Sequence, residues 1–363
     1  MIGIPHLDSP ITISGIEIRN RIVMPPMVRF GWAGTSGMAT DRHIEHYARR
    51  ARGGAGLIIV EATAVSPAGR LSTSQLGIWD DAHIPGLQKI VRACHRAGAR
   101  IVLQIHHAGA NTNPENVGGT LVAPSAIPVP GRRSSAVPHP LTQSEIRAIV
   151  REFGLAAERA ERAGFDGVEI HGAHGFLLSQ FLSPLTNQRT DEYGGSLENR
   201  LRFPLEVVRE VMARLSPGLL IGYRLGASDL IDGGLTIEEG KIAAGKLQAE
   251  GVHLIHVSRG FSDGSPAQAP GTGEFSHLVD LAASIKEVVR VPVVAVGGIR
   301  LPNTARDILA RGFADMVAIG RAMLADPDWA GKAISGHDSD IVRCRQCEGG
   351  CRHDAGKCPV TKD

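Results

Sequence analysis

The chain has 363 residues, 43% of them hydrophobic, with 39 Lys and Arg against 37 Asp and Glu. That near balance, with no block of one sign, excludes the basic stripe that nucleic-acid binding requires. No apolar run approaches the roughly 18–20 residues of a membrane span, and the opening MIGIPHLDSP carries no charged-then-apolar targeting pattern. The expectation is a soluble, cytoplasmic enzyme, long enough for two average domains or for one large α/β fold.

The first element expected is a hairpin. ITISGIEIRN alternates apolar and polar residues around Gly15, which suits a plug at the N-terminal end of a barrel. Eight short apolar or β-branched runs follow, at 22–24, 57–60, 101–105, 168–171, 220–225, 254–257, 293–296 and 316–319. Such runs suit parallel strands covered on both faces. Helical patterns with recognisable ends lie between them. TQSE (Thr142 to Glu145) and TIEE (Thr236 to Glu239) fit the capping box. Gly98, Gly164, Gly251 and Gly312 stand just before strands, where helices close in the left-handed conformation. This cadence predicts an α/β fold, a (β/α)8 TIM barrel over residues 1–335, with a four-cysteine metal-binding tail over 336–363. A doubly wound nucleotide fold would need G-x-G-x-x-G after its first strand, and MPPMVRFGW has none.

In β/α barrels the catalytic residues gather at the C-terminal ends of the strands. The polar residues there are Gln104, His107, His171, His174, Arg224 and Arg321. AVGGI (Gly297, Gly298) and IGRAML (Gly320, Arg321) end the last two strands, the usual corner for a phosphate held by backbone N–H groups and an arginine. The proline- and glycine-rich stretch 106–141 reads as a long loop bordering the site.

NRIVMPPM, VEATAV, LQIHHAG, GVEIHGAHGFLLSQFLSPLTNQRTDEYGGSLENR, YRLGASD and AIGRAMLADP, in order from about Ile11 to Pro327, together resemble the Old Yellow Enzyme family of FMN-dependent oxidoreductases. The resemblance implies reduction of activated alkenes with NAD(P)H as co-substrate. It implies FMN phosphate at Gly297, Gly298, Gly320 and Arg321, Arg224 near the N1–C2 edge of the flavin, and Gln104 on its pyrimidine edge. Pro25, Pro26, Met27 and Ala62 would line the ring. His171 and His174 would be the catalytic, substrate-anchoring pair, their N–H groups aimed at the oxygen on which charge develops. Phe30 and Phe176 would border the substrate. Relatives commonly carry a tyrosine at the position of Phe176 to protonate the α-carbon; phenylalanine cannot, so water or the 106–141 loop must deliver the proton. Val28 stands where many relatives have a threonine or cysteine bonded to flavin O4, which implies a more negative flavin potential.

The tail CRQCEGGCRHDAGKCP holds Cys344, Cys347, Cys351 and Cys358 as C-x2-C-x3-C-x6-C, a spacing for zinc or an iron–sulfur cluster. It resembles the 4Fe–4S motif of 2,4-dienoyl-CoA reductase relatives, with a shorter last gap and His353 as a substitute ligand. A cluster would call for a ferredoxin or partner flavoprotein as electron donor; zinc would not. Relatives are often dimers or tetramers, so a homo-oligomer is expected. Two other readings stand beside the reductase. One is an amine dehydrogenase or demethylase of the trimethylamine dehydrogenase type, whose members have a tyrosine at the position of His171. The other is a redox-sensing or electron-transfer flavoprotein working through the cysteine tail.

Overall fold

The computed structural model describes residues 6–131, 136–261 and 274–347, together with 351, 358 and 360. It opens on the expected hairpin, β1 (Ile11–Ile13) and β2 (Ile16–Ile18), paired antiparallel with Ile11 opposite Ile18. Ser14 and Gly15 make the turn at φ 51° and 79°. Then come β3 (Ile22–Met24), β4 (Leu57–Ala64), β5 (Arg100–His106), the short pair β6 (Val122–Ala123) and β7 (His139–Pro140), and β8 (Gly167–Gly172). The last four are β9 (Leu220–Gly226), β10 (Leu254–Ser258), β11 (Val293–Val296) and β12 (Met316–Ala318). Apart from the hairpin and the β6–β7 pair, the strands close into one eight-stranded parallel barrel. All eight runs expected as barrel strands take part in it.

The helices are α1 (Asp41–Arg52), α2 (Ile84–Arg96), α3 (Gln143–Arg162), α4 (Leu177–Leu182), α5 (Leu197–Arg214), α6 (Ile237–Ala249), α7 (His277–Lys286), α8 (Pro302–Ala310), α9 (Arg321–Ala325) and α10 (Trp329–Ile334). Both expected capping boxes form, at Thr142 with Glu145 and at Thr236 with Glu239, satisfying backbone donors that the first turn leaves open. The four helix-ending glycines take positive φ, from 70° at Gly312 to 106° at Gly251. None of the described helices is long and apolar enough to cross a membrane.

Side chains along each barrel strand alternate between the helical layer and the interior. Ile101, Leu103 and Ile105 join the large core beneath the helices, as do Val168, Ile170, Tyr223 and Leu225. The inward set has two storeys. Its lower storey is apolar: Val23, Leu57, Ile59, Val102, Leu220, Leu254, Val294 and Met316 pack with Ile13 and Ile18, so the hairpin does seal that end. Two or four residues further along the same strands, the inward positions turn polar: Gln104 and His106, Glu169 and His171, Arg224, His256 and Ser258 are all buried. Strand β4 departs from the regular pattern, with a register shift against β5 between Val60 and Thr63. Beyond α10, Asp338 pairs with Arg306 of α8 and the Asp340 carbonyl accepts from Lys332 of α10 at 2.9 Å, tying the chain to these helices.

Candidate active site

Strand register assembles the polar storey. Glu169 stands opposite Gln104 on β5, while Arg224 stands opposite both His171 on β8 and His256 on β10. The Glu169 carboxylate accepts from Gln104 Nε2 at 2.7 Å and from His256 Nδ1 at 2.9 Å. Burial pulls the Arg224 guanidinium down to about 10, against the upward effect of Glu169, so it keeps its charge at neutral pH. Arg224 Nε and His256 Nε2 are buried with no hydrogen-bond partner. Stranded polar atoms of this kind are costly unless something else meets them.

Above them runs a chain of imidazoles. His106 Nδ1 lies 3.1 Å from His171 Nδ1, His171 Nε2 lies 3.0 Å from His174 Nδ1, and His174 Nε2 lies 2.7 Å from Ser258 Oγ. Burial drives His106 down to about 3 and holds His171 and His174 well below the usual imidazole range, so all three are neutral. A neutral ring has one donor and one acceptor, so donation passes through the chain in a single direction. Donation from His106 toward Ser258 leaves the partnerless His106 Nε2 as a lone pair rather than an orphaned N–H, the less costly alternative. Phe176 stands edge-on to His106 and His171, with centroids 4.4 and 5.0 Å away. It fills the space beside the rings and offers no hydroxyl. His174 adopts φ 59°, held by its N–H to the Arg259 carbonyl at 3.0 Å and by Asn111 Nδ2 on its own carbonyl at 2.8 Å.

At the ends of β11 and β12 a cleft of about 200 Å³ is lined by Pro25, Pro26, Met27, Arg224, Gly297, Gly298, Gly320 and Arg321, eight of the ten residues expected to hold cofactor, together with Arg300. Gly297 and Gly298 have φ of 112° and 68°, and a Cβ on Gly297 would meet Leu278 at 2.8 Å and Ser276 Oγ at 2.9 Å. The backbone can turn its N–H groups toward the cleft only because these positions are glycine. Among the described residues no carboxylate lines this cleft. The donor set, the cradle that a side chain would fill and the stranded Arg224 Nε all fit a phosphate-bearing flavin.

The sequence from residue 6 to 340 matches the model of the NADH:flavin oxidoreductase / NADH oxidase family. The chain belongs to that family, the Old Yellow Enzymes. It is 45% identical over 354 residues to a protein named NADH oxidase from Thermoanaerobacter brockii, a match covering 97% of this chain and 54% of that protein. It is 41% identical to the NADPH dehydrogenase of Bacillus subtilis (strain 168), covering 95% and 98%. Among solved structures, morphinone reductase superposes with a TM-score of 0.80 at 33% identity, covering 92% of this chain and 90% of that one. A 2-naphthoyl-CoA reductase in complex with 2-naphthoyl-CoA gives 0.89 at 29%, covering 95% and 54%. The chain thus spans about half the length of some relatives and nearly all of others. As an Old Yellow Enzyme, it belongs to a family of FMN-dependent NAD(P)H oxidoreductases.

The other expected residues fall elsewhere. Gln104 sits in the polar storey with Arg224, bound to Glu169, and is not among the residues lining the cleft. Ala62 lies on the irregular stretch of β4, outside the residues lining the cleft, and its carbonyl accepts from Gln75 Nε2 at 2.6 Å, which leaves one lone pair free. Phe30 is 38% exposed and lines neither this cleft nor the one beside His174. In the tail, Cys344, Cys351 and Cys358 are half-buried and Cys347 is exposed. Among the described residues no three His, Cys, Asp or Glu side chains stand close enough to share a metal ion, so the four cysteines are not gathered into the ligand set that their spacing led us to expect. His353 lies outside the described residues. The fold does bring the tail near the barrel, because Arg29, just past β3, lies within electrostatic range of Cys351 and Cys358. Sequence reasoning missed His106, Ser258, Glu169, His256 and Arg300. Only Arg300, two residues past Gly298, carried a local signal.

Proposed function

We propose that the chain is an FMN-dependent reductase of activated alkenes, with NAD(P)H as the source of hydride. The observation that carries this reading is the neutral imidazole wall of buried His171 and half-buried His174 beside the buried Arg224 and the glycine–arginine cleft. The chemistry that FMN supplies is hydride transfer, from a reduced nicotinamide to the β-carbon of an alkene conjugated to a carbonyl or nitro group. Arg300, Arg321 and the N–H groups around Gly297 and Gly298 would hold the flavin phosphate, and Arg224 would favour electron density on the ring. As hydride arrives at the substrate, negative charge grows on its activating oxygen. His171 and His174 stabilise that charge by turning ring N–H groups onto it. Each neutral ring has one N–H, so both links, His171 to His174 and His174 to Ser258, must give way for this. Neutral rings are well suited to such stabilisation, because donors that bear no charge do not bind carbonyl and oxyanion indiscriminately, and a water-poor setting strengthens each bond as charge develops. Phe176 holds no transferable proton, so the α-carbon takes its proton from water or from a group on the loop after β5.

The protein as purified should be yellow, bleach with NADPH or NADH, and regain colour on addition of cyclohexenone under nitrogen. A bleached protein that ferricyanide reoxidises but no activated alkene does would overturn the alkene assignment while leaving the flavin in place. The C-x2-C-x3-C-x6-C spacing supports a bound iron–sulfur cluster or zinc, and no step is assigned to it. Iron, sulfide and zinc analysis of anaerobically prepared protein decides between the two.

A further inference from the structure

A second cleft of about 300 Å³ opens on the far side of His174, lined by Asn111, Val129, Pro130, Arg259, Gly260 and Phe261. Arg259 follows β10 directly, and its carbonyl accepts from the His174 N–H at 3.0 Å, which ties its backbone to that of the imidazole wall. Its side chain is half-buried. Several arginines on this barrel pair with a carboxylate, such as Arg49 with Asp328, Arg189 with Asp191 and Arg209 with Glu250. Among the described residues the Arg259 guanidinium has neither a hydrogen bond nor an ion pair, and no carboxylate is among those that line its cleft. Arg224 faces His174 from the barrel side, and both arginines press on that imidazole in the direction of positive potential. A cleft that concentrates positive charge and has no anion among its described lining residues is complementary to a ligand that brings one. A guanidinium offers a planar fork matching carboxylate or phosphate in two parallel bonds.

We propose that Arg259 receives an anionic group of the substrate, so that the preferred alkene carries a carboxylate or phosphate in addition to the oxygen that activates it. The proposal rests on reading His171 and His174 as the anchor of the activating oxygen. Arg259 then fixes the far end of the same molecule and sets its orientation at the imidazoles. The volume, at the lower limit of small-molecule sites, suits a compact acid or the end of a longer phosphorylated chain.

The test uses the full-length holoenzyme and a matched pair, 4-oxopent-2-enoate and its methyl ester, which share the activated alkene and differ in the charge. In the wild type kcat/KM favours the acid. In Arg259→Gln the acid-to-ester ratio falls at least tenfold, mainly through KM, and Arg259→Lys restores part of it. A parallel pair, crotonyl-4′-phosphopantetheine and crotonyl-pantetheine, locates the anion: if R259Q collapses this ratio instead, the group recognised is a phosphate. Should R259Q change neither ratio, the proposal is wrong. Calorimetry with the saturated, unreactive 4-oxopentanoate and its methyl ester reads the same discrimination without turnover. A wild type that binds the acid over the ester through Arg259 yet reduces no alkene would sink the catalytic reading alone.

Discussion

The two sides of the barrel mouth prepare for negative charge in opposite ways. At the β11–β12 corner the work falls to backbone and to cations that have no side-chain partner among the described residues: glycines in positive φ, with Arg300 and Arg321 around an open cleft. On the β5–β8–β10 side, neutral side chains, all buried except the half-buried His174, satisfy one another from His106 through to Ser258. The first arrangement suits an anion that is always present, because unpaired guanidiniums gain from a permanent counter-charge. The second suits charge that exists only in passing, because its donors stay occupied until a substrate oxygen competes for them. Binding and chemistry are therefore separable in this fold, and that separation can be attacked directly.

The harshest attack removes both imidazoles. His171→Ala with His174→Ala should lower kcat/KM for cyclohexenone by about 10³-fold or more, since one lost oxyanion donor typically costs ~10²–10³. FMN content, read from the visible spectrum, should stay near one per chain; concurrent loss of FMN would show that the two sides are not independent. The converse is Arg300→Gln with Arg321→Gln, which should raise the Kd for FMN by about 100-fold, roughly tenfold or 1.4 kcal/mol for each cation, as measured by fluorescence quenching on titration. Protein reloaded with excess FMN should then reduce alkenes at close to the wild-type rate.

The next prediction concerns acid. His106 and His107 are held at about 3 and about 4, below the 6.5 of a free imidazole, because burial penalises their charged form. The unfolded chain therefore takes up more protons than the folded one below pH 6.5. Their contribution to stability is complete above that pH and is lost as pH falls toward 4 and below. His106→Phe should flatten the fall in Tm across this window, whereas an unchanged slope would mean that His106 is not held neutral. The smallest effect belongs far from the mouth: Thr142→Ala should cost about 1 kcal/mol in chemical denaturation, the usual worth of an N-cap, with FMN binding and turnover unaffected.

Much of this architecture was legible because its signals are local. A short apolar run, a Thr-x-x-Glu and a glycine before the next strand each report on a few neighbouring residues, and all eight strands, the hairpin plug and both capping boxes are where those signals put them. The glycine–arginine corner was legible for the same reason, since GG and GR mark it in sequence. The imidazole chain was only half visible. HGAH announces His171 and His174, but the atoms that complete their bonding, His106 and Ser258, come from 65 and 84 residues away. The Ala62 carbonyl accepts through a contact no pattern encodes, from the Gln75 amide. Cysteine spacing suggested a ligand set, yet spacing along a chain does not bring four sulfurs together.

By itself, then, the sequence determined the barrel and its polar rim, because strand alternation and helix ends are settled by interactions within a few residues. Only the tertiary structure decided which of those polar groups meet. The stagger of parallel strands sets His171, Arg224 and His256 at one level, and that stagger follows from closing the whole sheet, not from any stretch of it. The same closure left Arg259 beside His174 without a counter-ion among the described residues, an opening that no single segment could reveal.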